Sequence, residues 1–365
     1  MKYFEKILSR KSIQLLVSII ACFSLPVSLF AQGESLEETL QQLSADAAQQ
    51  YVSPISSAFG ANLNSGWFHK VPPAVKMGVN LEIGLVAMGA FFPDESKFFS
   101  VDGKFRFSEN EARQLVSGQG YPQQVEDELV AQITDQYFSV GISGATVIGA
   151  EDDHIMVEFP GQTFTVNGAS YNVPTQSVDL GFGGFQDLAD LNFLPLAAPQ
   201  VSIGTVYGTQ ATFRYLPSLT LNSDLGKLKY FGFGIQHNPA VWFNTPIPVD
   251  IAASFFTQSL KVGDLFDAKA TAFGVNVGKR LGSGILNISP YAGFMFESAT
   301  MEVTYTYIVD TPAGQYTEKI NFELEGENKS RFILGVSIRL LALNLNADYN
   351  FSKYDSFSAG LTFGL

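Results

Sequence analysis

A chain of 365 residues with a formal net charge of −13 is too acidic to bind nucleic acid or anionic lipid headgroups through its charge. It has one cysteine, Cys22, which excludes disulfides within the chain. Although 46% of the residues are hydrophobic, only the N-terminal region has a run of about 18 apolar residues, which excludes membrane-spanning helices after it.

The first 31 residues have the layout of a secretory signal peptide. Four basic residues come before position 12, the stretch 13–30 is mostly apolar, and Ala31 is a suitable cleavage position. A retained membrane helix and lipidation at Cys22 are the alternatives. Because residues 1–31 carry four positive charges and one negative charge, their removal would leave a mature chain of about −16 without any cysteine.

Residues 32–71 are predicted to form a short helix followed by a separate segment. Apolar residues at helical spacing, with acidic residues near the start, predict a helix over 32–50. The stretch after it is rich in Gly, Asn and Ser and contains three large aromatic residues, Phe59, Trp67 and Phe68. These are candidate plug residues if the segment enters a barrel. The alternative is a periplasmic tether or an anchor at the membrane interface.

From residue 72 onward, apolar and polar residues alternate with a period of two over many segments. The clearest lie at 331–340, 341–351 and 356–365, and the first strong one lies at 75–85. Each predicts a strand with one apolar face and one face of small or polar side chains. The Asn167-Gly168 pair between two such segments predicts a tight hairpin.

These faces favour a membrane barrel, in which apolar residues meet lipid and polar residues line the lumen. The predicted fold is therefore all-β: a transmembrane antiparallel β-barrel of about 12–14 strands over residues 72–365, with helical or loop insertions near 108–134 and 151–199. Backbone groups in lipid have no water to bond. The strand near Val75 is thus expected to pair with the one that ends at Leu365.

Charged residues within the strands agree with this assignment of faces. A Lys or Arg on the lipid face near the middle of the membrane would cost about 2 to 4 kcal/mol. Five charged residues fall on the polar face and are candidate lumen-lining residues: Glu82, Arg214, Asp250, Arg339 and Asp348. We expect each to form an ion pair across the barrel in preference to acting as a selectivity element.

Several of these features resemble an uncharacterised family of outer-membrane barrel proteins of the Bacteroidota. They are the signal peptide that ends in Phe-Ala-Gln, the segment 59–69 and the terminal strands. The order of an N-terminal segment before a barrel is also similar, more distantly, to the long-chain fatty acid transporter family, whose barrel has 14 strands and an N-terminal hatch. The chain departs from the common pattern by ending on Leu365 and not on an aromatic residue.

The resemblance and the strand pattern together predict a bacterial outer-membrane protein. Its partners would be outer-membrane lipid, the barrel-assembly machinery and a small solute, with no nucleic acid. A channel or transporter for small solutes, hydrophobic ones included, is the first expectation. A structural or adhesive surface barrel without transport is the alternative, and an outer-membrane hydrolase comes third.

No enzymatic activity is expected from the sequence, and no catalytic, cofactor-binding or metal-binding residues are predicted. The histidines His69, His154 and His237 show no metal-binding spacing. No nucleophile elbow or phosphate-binding loop is present either. Asp152-Asp153-His154 is the one cluster of acids with a histidine, and it is expected to lie in a solvated loop.

Overall fold

The computed structural model describes residues 36–117, 119–185, 193–222, 226–243, 248–263, 266–282, 285–311 and 314–364. The signal peptide predicted over residues 1–31 lies outside them, as does Leu365. The chain divides into two compact units. Among the described residues, the barrel unit comprises 55–94 and everything from 193 onward, and the insert unit comprises 36–54 and 95–185.

The described residues form three α-helices and 17 strands. The helices are α1 (Leu36–Leu63), α2 (Glu109–Val116) and α3 (Gln123–Thr134). The strands are β1 (Met77–Phe91), β2 (Phe98–Phe105), β3 (Phe138–Ala145), β4 (Met156–Phe159), β5 (Gln162–Val166), β6 (Ala169–Val173), β7 (Gln176–Asp179), β8 (Phe193–Val206), β9 (Thr209–Asn222), β10 (Gly226–His237), β11 (Asp250–Val262), β12 (Phe266–Gly278), β13 (Leu286–Thr311), β14 (Gly314–Glu325), β15 (Ser330–Leu340), β16 (Leu343–Phe351) and β17 (Ser356–Gly364).

Ten antiparallel strands form a closed barrel, in the order β1, β8, β9, β10, β11, β12, β13, β15, β16, β17 and back to β1. The closing pair joins β1 to β17, from Glu82 opposite Gly364 to Ala90 opposite Ser356. The predicted antiparallel barrel and the predicted pairing of its first and last strands are therefore confirmed. Closure gives each wall strand a hydrogen-bonding neighbour on both sides, which removes the open edges that lipid does not tolerate.

The barrel has ten strands and not the 12–14 that the sequence predicted. Three of the alternating segments after residue 72, those at 98–107, 136–149 and 163–173, form sheets of the insert unit and not of the barrel. A fourth, 318–325, lies in β14, which in the described chain pairs with β13 from Thr300 onward and extends it as a hairpin. The count was too high because alternation with a period of two identifies a strand but not the sheet that it joins.

The two faces of the wall strands have opposite polarity. On β16, Leu345 is 53% exposed on the outside, whereas Asn346 and Asp348 are buried on the inside. Large exposed apolar side chains lie on the outer face of many wall strands, among them Ile83, Leu85, Phe231, Phe255, Phe273, Val275, Phe294, Leu334 and Leu361. The barrel thus adopts the predicted alternation, with apolar residues pointing away from the lumen.

Helix α1 is longer than the sequence predicted. The expected helix stopped at residue 50, yet α1 continues through Pro54 to Leu63. A proline inside a helix removes the hydrogen bond to the carbonyl four residues earlier, which here belongs to Gln50. The Ser53 hydroxyl donates to that carbonyl instead, at 3.1 Å. None of the helices in the described residues is both long and apolar enough to cross a membrane.

The insert unit contains a four-stranded sheet of β2, β3, β4 and β7 and a separate hairpin of β5 and β6. The hairpin is the one predicted at Asn167-Gly168, whose φ angles of 51° and 77° suit a two-residue turn.

Helices α2 and α3 occupy the stretch 108–134 that was predicted to be helical. Ser108 begins α2 with a capping box, in which its side chain and that of Glu111 bond each other's backbone N–H.

The predicted insertion over 151–199 differs from the structure in two ways. Its first part is not a loop, because it holds β4 to β7 of the insert unit. Its last part, from Phe193, belongs to wall strand β8, which pairs with β1 as far as Phe91. Pro195 and Pro199 obscured this first part of the strand in the sequence, since proline usually argues against a central strand.

Candidate functional site: the barrel lumen

Residues 55–73, which we call the plug segment, run through the barrel from one end to the other. The upper end is the one at which β8 and β17 begin, and there the Asn62 side chain donates to the Leu194 carbonyl at 2.6 Å. The lower end is the one at which β1 begins, and there the Asn238 side chain donates to the Pro72 carbonyl at 2.8 Å. The plug segment therefore spans the lumen and leaves it close to the start of β1.

The upper lumen is packed with apolar side chains around the last turns of α1. Ala58, Ala61 and Leu63 of the helix are fully buried. The Phe59 ring lies 5.4 Å from that of Phe266 on the wall. Other wall residues buried here are Leu194, Ala198, Leu260, Val262 and Ala270. This part of the lumen has the character of a protein core.

An aromatic layer fills the middle of the lumen. The Trp67 ring is stacked on Phe256, with centroids 5.1 Å apart, and Phe68 meets Tyr291 edge-on at 5.5 Å. The Arg214 guanidinium lies 4.2 Å from the centroid of the Trp67 ring, in a cation–π contact. A cavity of about 10 Å³ beside this layer has room for about one water molecule.

Two buried arginines of the wall bind the C-terminal end of α1 and the residues just after it. Arg331 pairs with Glu297 (Nε to Oε2, 2.7 Å) and donates to the Ala61 carbonyl at 3.1 Å and to the Ser65 hydroxyl at 2.7 Å. Arg214 donates to the Ser65 carbonyl at 2.9 Å. Carbonyls at a helix C-terminus lack partners within the helix and attract positive charge. The wall therefore binds the plug segment at the end of α1, where the backbone hydrogen bonds within the helix end.

The lower lumen is polar. Glu82 of β1 is buried, lies 3.1 Å from His69 (Nε2 to Oε2) and accepts a hydrogen bond from Lys70. On other wall strands of this half, Gln210, Gln236, Asn344, Asn346 and Thr362 are buried, and each has a side-chain polar atom without a hydrogen-bond partner in the protein. Buried polar atoms are nearly always satisfied by protein or by water. This half of the lumen is therefore built for contact with water or with a polar solute.

The structure places all eight residues singled out in the sequence in the barrel unit. Phe59, Trp67 and Phe68 lie inside the lumen and are 1%, 2% and 5% exposed. Glu82, Arg214 and Asp348 are buried on the inner face, whereas Asp250 and Arg339 are partly exposed at the lower end.

Among the described residues, Glu82 is the one of the five charged candidates that forms ion pairs. Glu82 is paired with plug residues and not with another wall strand. Asp348 accepts hydrogen bonds from Tyr291 and Ser358, at 2.9 and 2.7 Å. Arg339 donates to the carbonyl of Leu341.

Sequence reasoning missed the Arg331–Glu297 pair, a buried ion pair of the wall whose arginine binds the plug segment. Both residues lie on the polar face of their strands, the signal that identified the other candidates. The two positions are 34 residues apart on neighbouring strands, with Met295 opposite Arg331 in the register. Their contact follows only from the pairing register of β13 and β15.

The cluster Asp152-Asp153-His154 lies in the insert unit. His154 forms an ion pair with Asp179 of β7 (Nδ1 to Oδ2, 2.9 Å) and not with its two neighbours in the sequence. Within the described residues, no group of three His, Cys, Asp or Glu side chains is placed to hold a metal ion.

The His154–Asp179 pair predicts a pH-dependent contact. Its hydrogen bond raises the pKa of His154 above 6.5 and lowers the pKa of Asp179 below 3.8. The charged pair is therefore present in full between these values, and it is lost as the pH rises through the raised pKa of His154 or falls through the lowered pKa of Asp179. We expect Asp179→Asn to shift the pKa of His154 back toward 6.5 in an NMR titration of the imidazole resonances. Asp153→Asn is the control, and equal shifts in both variants would contradict the assignment.

Likeness to solved structures is weak. A loop-deletion mutant of OmpT, an outer membrane protein of Vibrio cholerae, is 12% identical over 79% of this chain and 99% of its own, with a TM-score of 0.22. The outer membrane protease OmpT from Escherichia coli is 6% identical over 80% and 100%, with a TM-score of 0.24. The outer membrane channel DcaP of Acinetobacter baumannii is 12% identical over 79% and 96%, with a TM-score of 0.17. TM-scores this low support no conclusion about the function of this chain.

Comparison with curated protein sequences gives no match. The expected kinship with Bacteroidota barrels and with long-chain fatty acid transporters stays a prediction. A family model, by contrast, matches residues 10–365, which is nearly the whole sequence. The chain therefore belongs to the family of unknown function DUF6588.

Proposed function

We propose that the chain is a bacterial outer-membrane protein whose barrel crosses the lipid bilayer. The wall strands are between 9 and 26 residues long, and about 9 to 11 residues suffice to span the hydrocarbon region. Soluble proteins rarely expose apolar patches larger than a few hundred Å², whereas large apolar side chains cover the outer face of this barrel. Export by the signal peptide over residues 1–31 and insertion by the barrel-assembly machinery are part of the proposal.

Within the membrane, the barrel acts as a channel that the plug segment closes. The observation that carries this function is the polar lower lumen, where wall side chains such as Gln236 and Asn344 have unpaired polar atoms. Each unpaired buried polar group costs about 1 to 3 kcal/mol. A permanently filled, dry lumen would bear this cost at several positions, whereas a lumen that admits water or a polar solute would not.

The polar side chains of the lower lumen favour polar solutes over the hydrophobic ones that the sequence also allowed. Amide and hydroxyl groups with unpaired polar atoms line the lower lumen, and an apolar solute would leave these atoms without a hydrogen-bond partner. Glu82 and Arg214 are engaged by the plug segment, so their first role is to hold the closed state. No catalytic role is part of this proposal.

A structural or adhesive barrel is the second candidate, and the upper lumen favours it. Close packing of Phe59, Leu63 and the surrounding wall residues is what a permanently closed core would show. In that case the barrel would serve to hold the insert unit at the membrane. The two candidates differ in whether the plug segment ever leaves its place.

A disulfide between the plug segment and the wall tests whether the plug segment must move for the channel to open. The hydroxyl oxygens of Ser65 and Ser356 are 2.8 Å apart, so Ser65→Cys/Ser356→Cys in a Cys22→Ser background is placed to form a bond. We expect the native protein to show single-channel openings in planar bilayers. The oxidised double variant should show none, and a reductant should restore them.

A matched disulfide within the wall controls for the crosslink itself. Ser202 and Thr212 lie on β8 and β9, both are buried, and their hydroxyl oxygens are 3.0 Å apart. The variant Ser202→Cys/Thr212→Cys should open like the native protein in both redox states. If native, reduced and oxidised proteins all fail to conduct, the channel proposal is wrong and the structural barrel is favoured.

A further inference from the structure

A pocket of about 150 Å³ opens at the lower end of the barrel. The plug segment forms one side with Lys70, Val71 and Pro73, and the other sides come from Asp250 at the start of β11, Gly278–Arg280 at the end of β12 and Ser289–Pro290 at the start of β13. The pocket lies wholly within the barrel unit. Its volume corresponds to several water molecules, enough for a phosphate group.

Positive charge is concentrated at this pocket, although the whole chain is acidic. Lys70, Lys279 and Arg280 line it together with one carboxylate, that of Asp250. Arg339 and Arg280 are both close enough to act electrostatically on Lys70. The net charge of the sequence is −13, so this excess of cations is a local feature. A concave site in which one sign of charge is in excess raises the local concentration of the opposite ion.

The walls of the pocket are held by hydrogen bonds. The backbone N–H of Lys279 donates to the Pro290 carbonyl at 3.2 Å, and beyond it Leu281 and Ile288 form a β-bridge. Asn238 connects the plug segment to the wall, because its side chain donates both to the Pro72 carbonyl and to the Asp250 carboxylate. The cationic side chains therefore project from fixed backbone.

Lys279 and Arg280 are the two cations available to a ligand. Lys70 already donates to Glu82. Lys279 and Arg280 are exposed, and in the described chain neither forms an ion pair. A guanidinium beside an ammonium group suits an oxyanion, since the guanidinium binds two oxygens at once and the ammonium adds charge.

We infer that this pocket binds a small oxyanion of the phosphate type, either a free anion or the phosphate of a lipid headgroup. The inference goes beyond the proposed channel and does not depend on it. The pocket is complete while the plug segment is in place, so a barrel that never opens would still bind the anion.

Equilibrium dialysis of the full chain in neutral detergent at low salt, with inorganic phosphate as the probe, tests the inference. The native protein should bind one phosphate saturably. Lys279→Gln/Arg280→Gln should weaken binding at least tenfold, and Arg280→Gln alone should give an intermediate loss. The control Lys229→Gln/Lys261→Gln removes the same charge from exposed cross-strand neighbours at the upper end, and it should leave binding within about twofold. Heat-modifiable gel mobility verifies that each variant is folded.

Short-chain lipids separate the two sources of the anion. Displacement of phosphate by dihexanoyl phosphatidylglycerol, but not by the phosphatidylcholine analogue, would support a lipid headgroup as the ligand. Failure of both lipids to displace it would support a free anion. The inference is overturned if the native protein shows no saturable phosphate binding, or if the control pair weakens binding as much as the pocket pair does.

Discussion

An Arg331→Met variant is expected to be less stable than the native protein and to stay open for a larger fraction of the time in planar bilayers. The Arg331 guanidinium is buried, pairs with Glu297 and holds the Ala61 carbonyl and the Ser65 hydroxyl of the plug segment. Removing one partner of a buried ion pair typically costs about 3 to 5 kcal/mol, because the other charge stays buried and uncompensated. The same change removes two of the hydrogen bonds that hold the plug segment.

A second variant separates the loss of stability from the release of the plug segment. Replacing both charges, as in Glu297→Leu/Arg331→Met, leaves no buried charge behind, and such replacements are often neutral. We therefore expect the double variant to recover most of the stability. It should still stay open for a larger fraction of the time, because the bonds to Ala61 and Ser65 remain absent.

Guanidinium unfolding of the refolded protein and current recordings in planar bilayers measure the two effects. Arg339→Met is the matched control, since Arg339 lies eight residues further along the same strand and donates to a loop carbonyl at the lower end. It should change neither stability nor conductance appreciably. A double variant that is as closed as the native protein would show that Arg331 does not hold the gate.

The faces of the wall strands could be predicted because alternation is a local property. Leu345, Leu361 and Phe363 point outward as the period of two requires, and Glu82 and Arg214 point inward. The apolar outer face and the polar inner face recur on each wall strand independently, so each strand can be assigned without knowledge of its neighbours.

The number of wall strands could not be predicted in the same way. Strands of the insert unit such as Phe138–Ala145 also have alternating apolar residues, because they cover a core of their own on one face. Pairing decides which sheet a strand joins, and pairing depends on contacts between distant parts of the chain. The same limit concealed the first part of β8, up to Pro199, since the register of Phe193–Val206 along β1 is what shows it to belong to a wall strand.

The hydrogen-bond partners of the lumen residues could not be predicted either, because these contacts also join distant parts of the chain. Arg214 meets the backbone of Ser65 across 149 residues, and Arg331 meets Ser65 across 266. The local sequence around each arginine contains no sign of these contacts. It shows only that the side chain faces inward, which is why Arg214 was found as a candidate although its role was not, and why Arg331 was missed.

A Gly232→Ala variant is expected to push Trp67 out of the aromatic layer. A Cβ atom at Gly232 would lie 2.7 Å from the Trp67 ring, and the ring is held between this wall, Phe256 and Arg214. A rigid ring with neighbours on both faces cannot yield by a small rotation. Overpacking of a well-packed core costs about 1 to 3 kcal/mol, so we expect a stability loss of this order.

Tryptophan fluorescence measures the displacement directly, because Trp67 and Trp242 are the two tryptophans of the chain. In a Trp242→Phe background, acrylamide should quench the buried Trp67 poorly in the native sequence and far more strongly in Gly232→Ala. Gly278→Ala is the control, since its Cβ would lie 3.2 Å from a methyl group of Val71 that can shift slightly. Equal quenching in the two alanine variants would mean that the wall glycine at position 232 does not position Trp67. The plug segment would then depend on the two arginines for its place in the lumen.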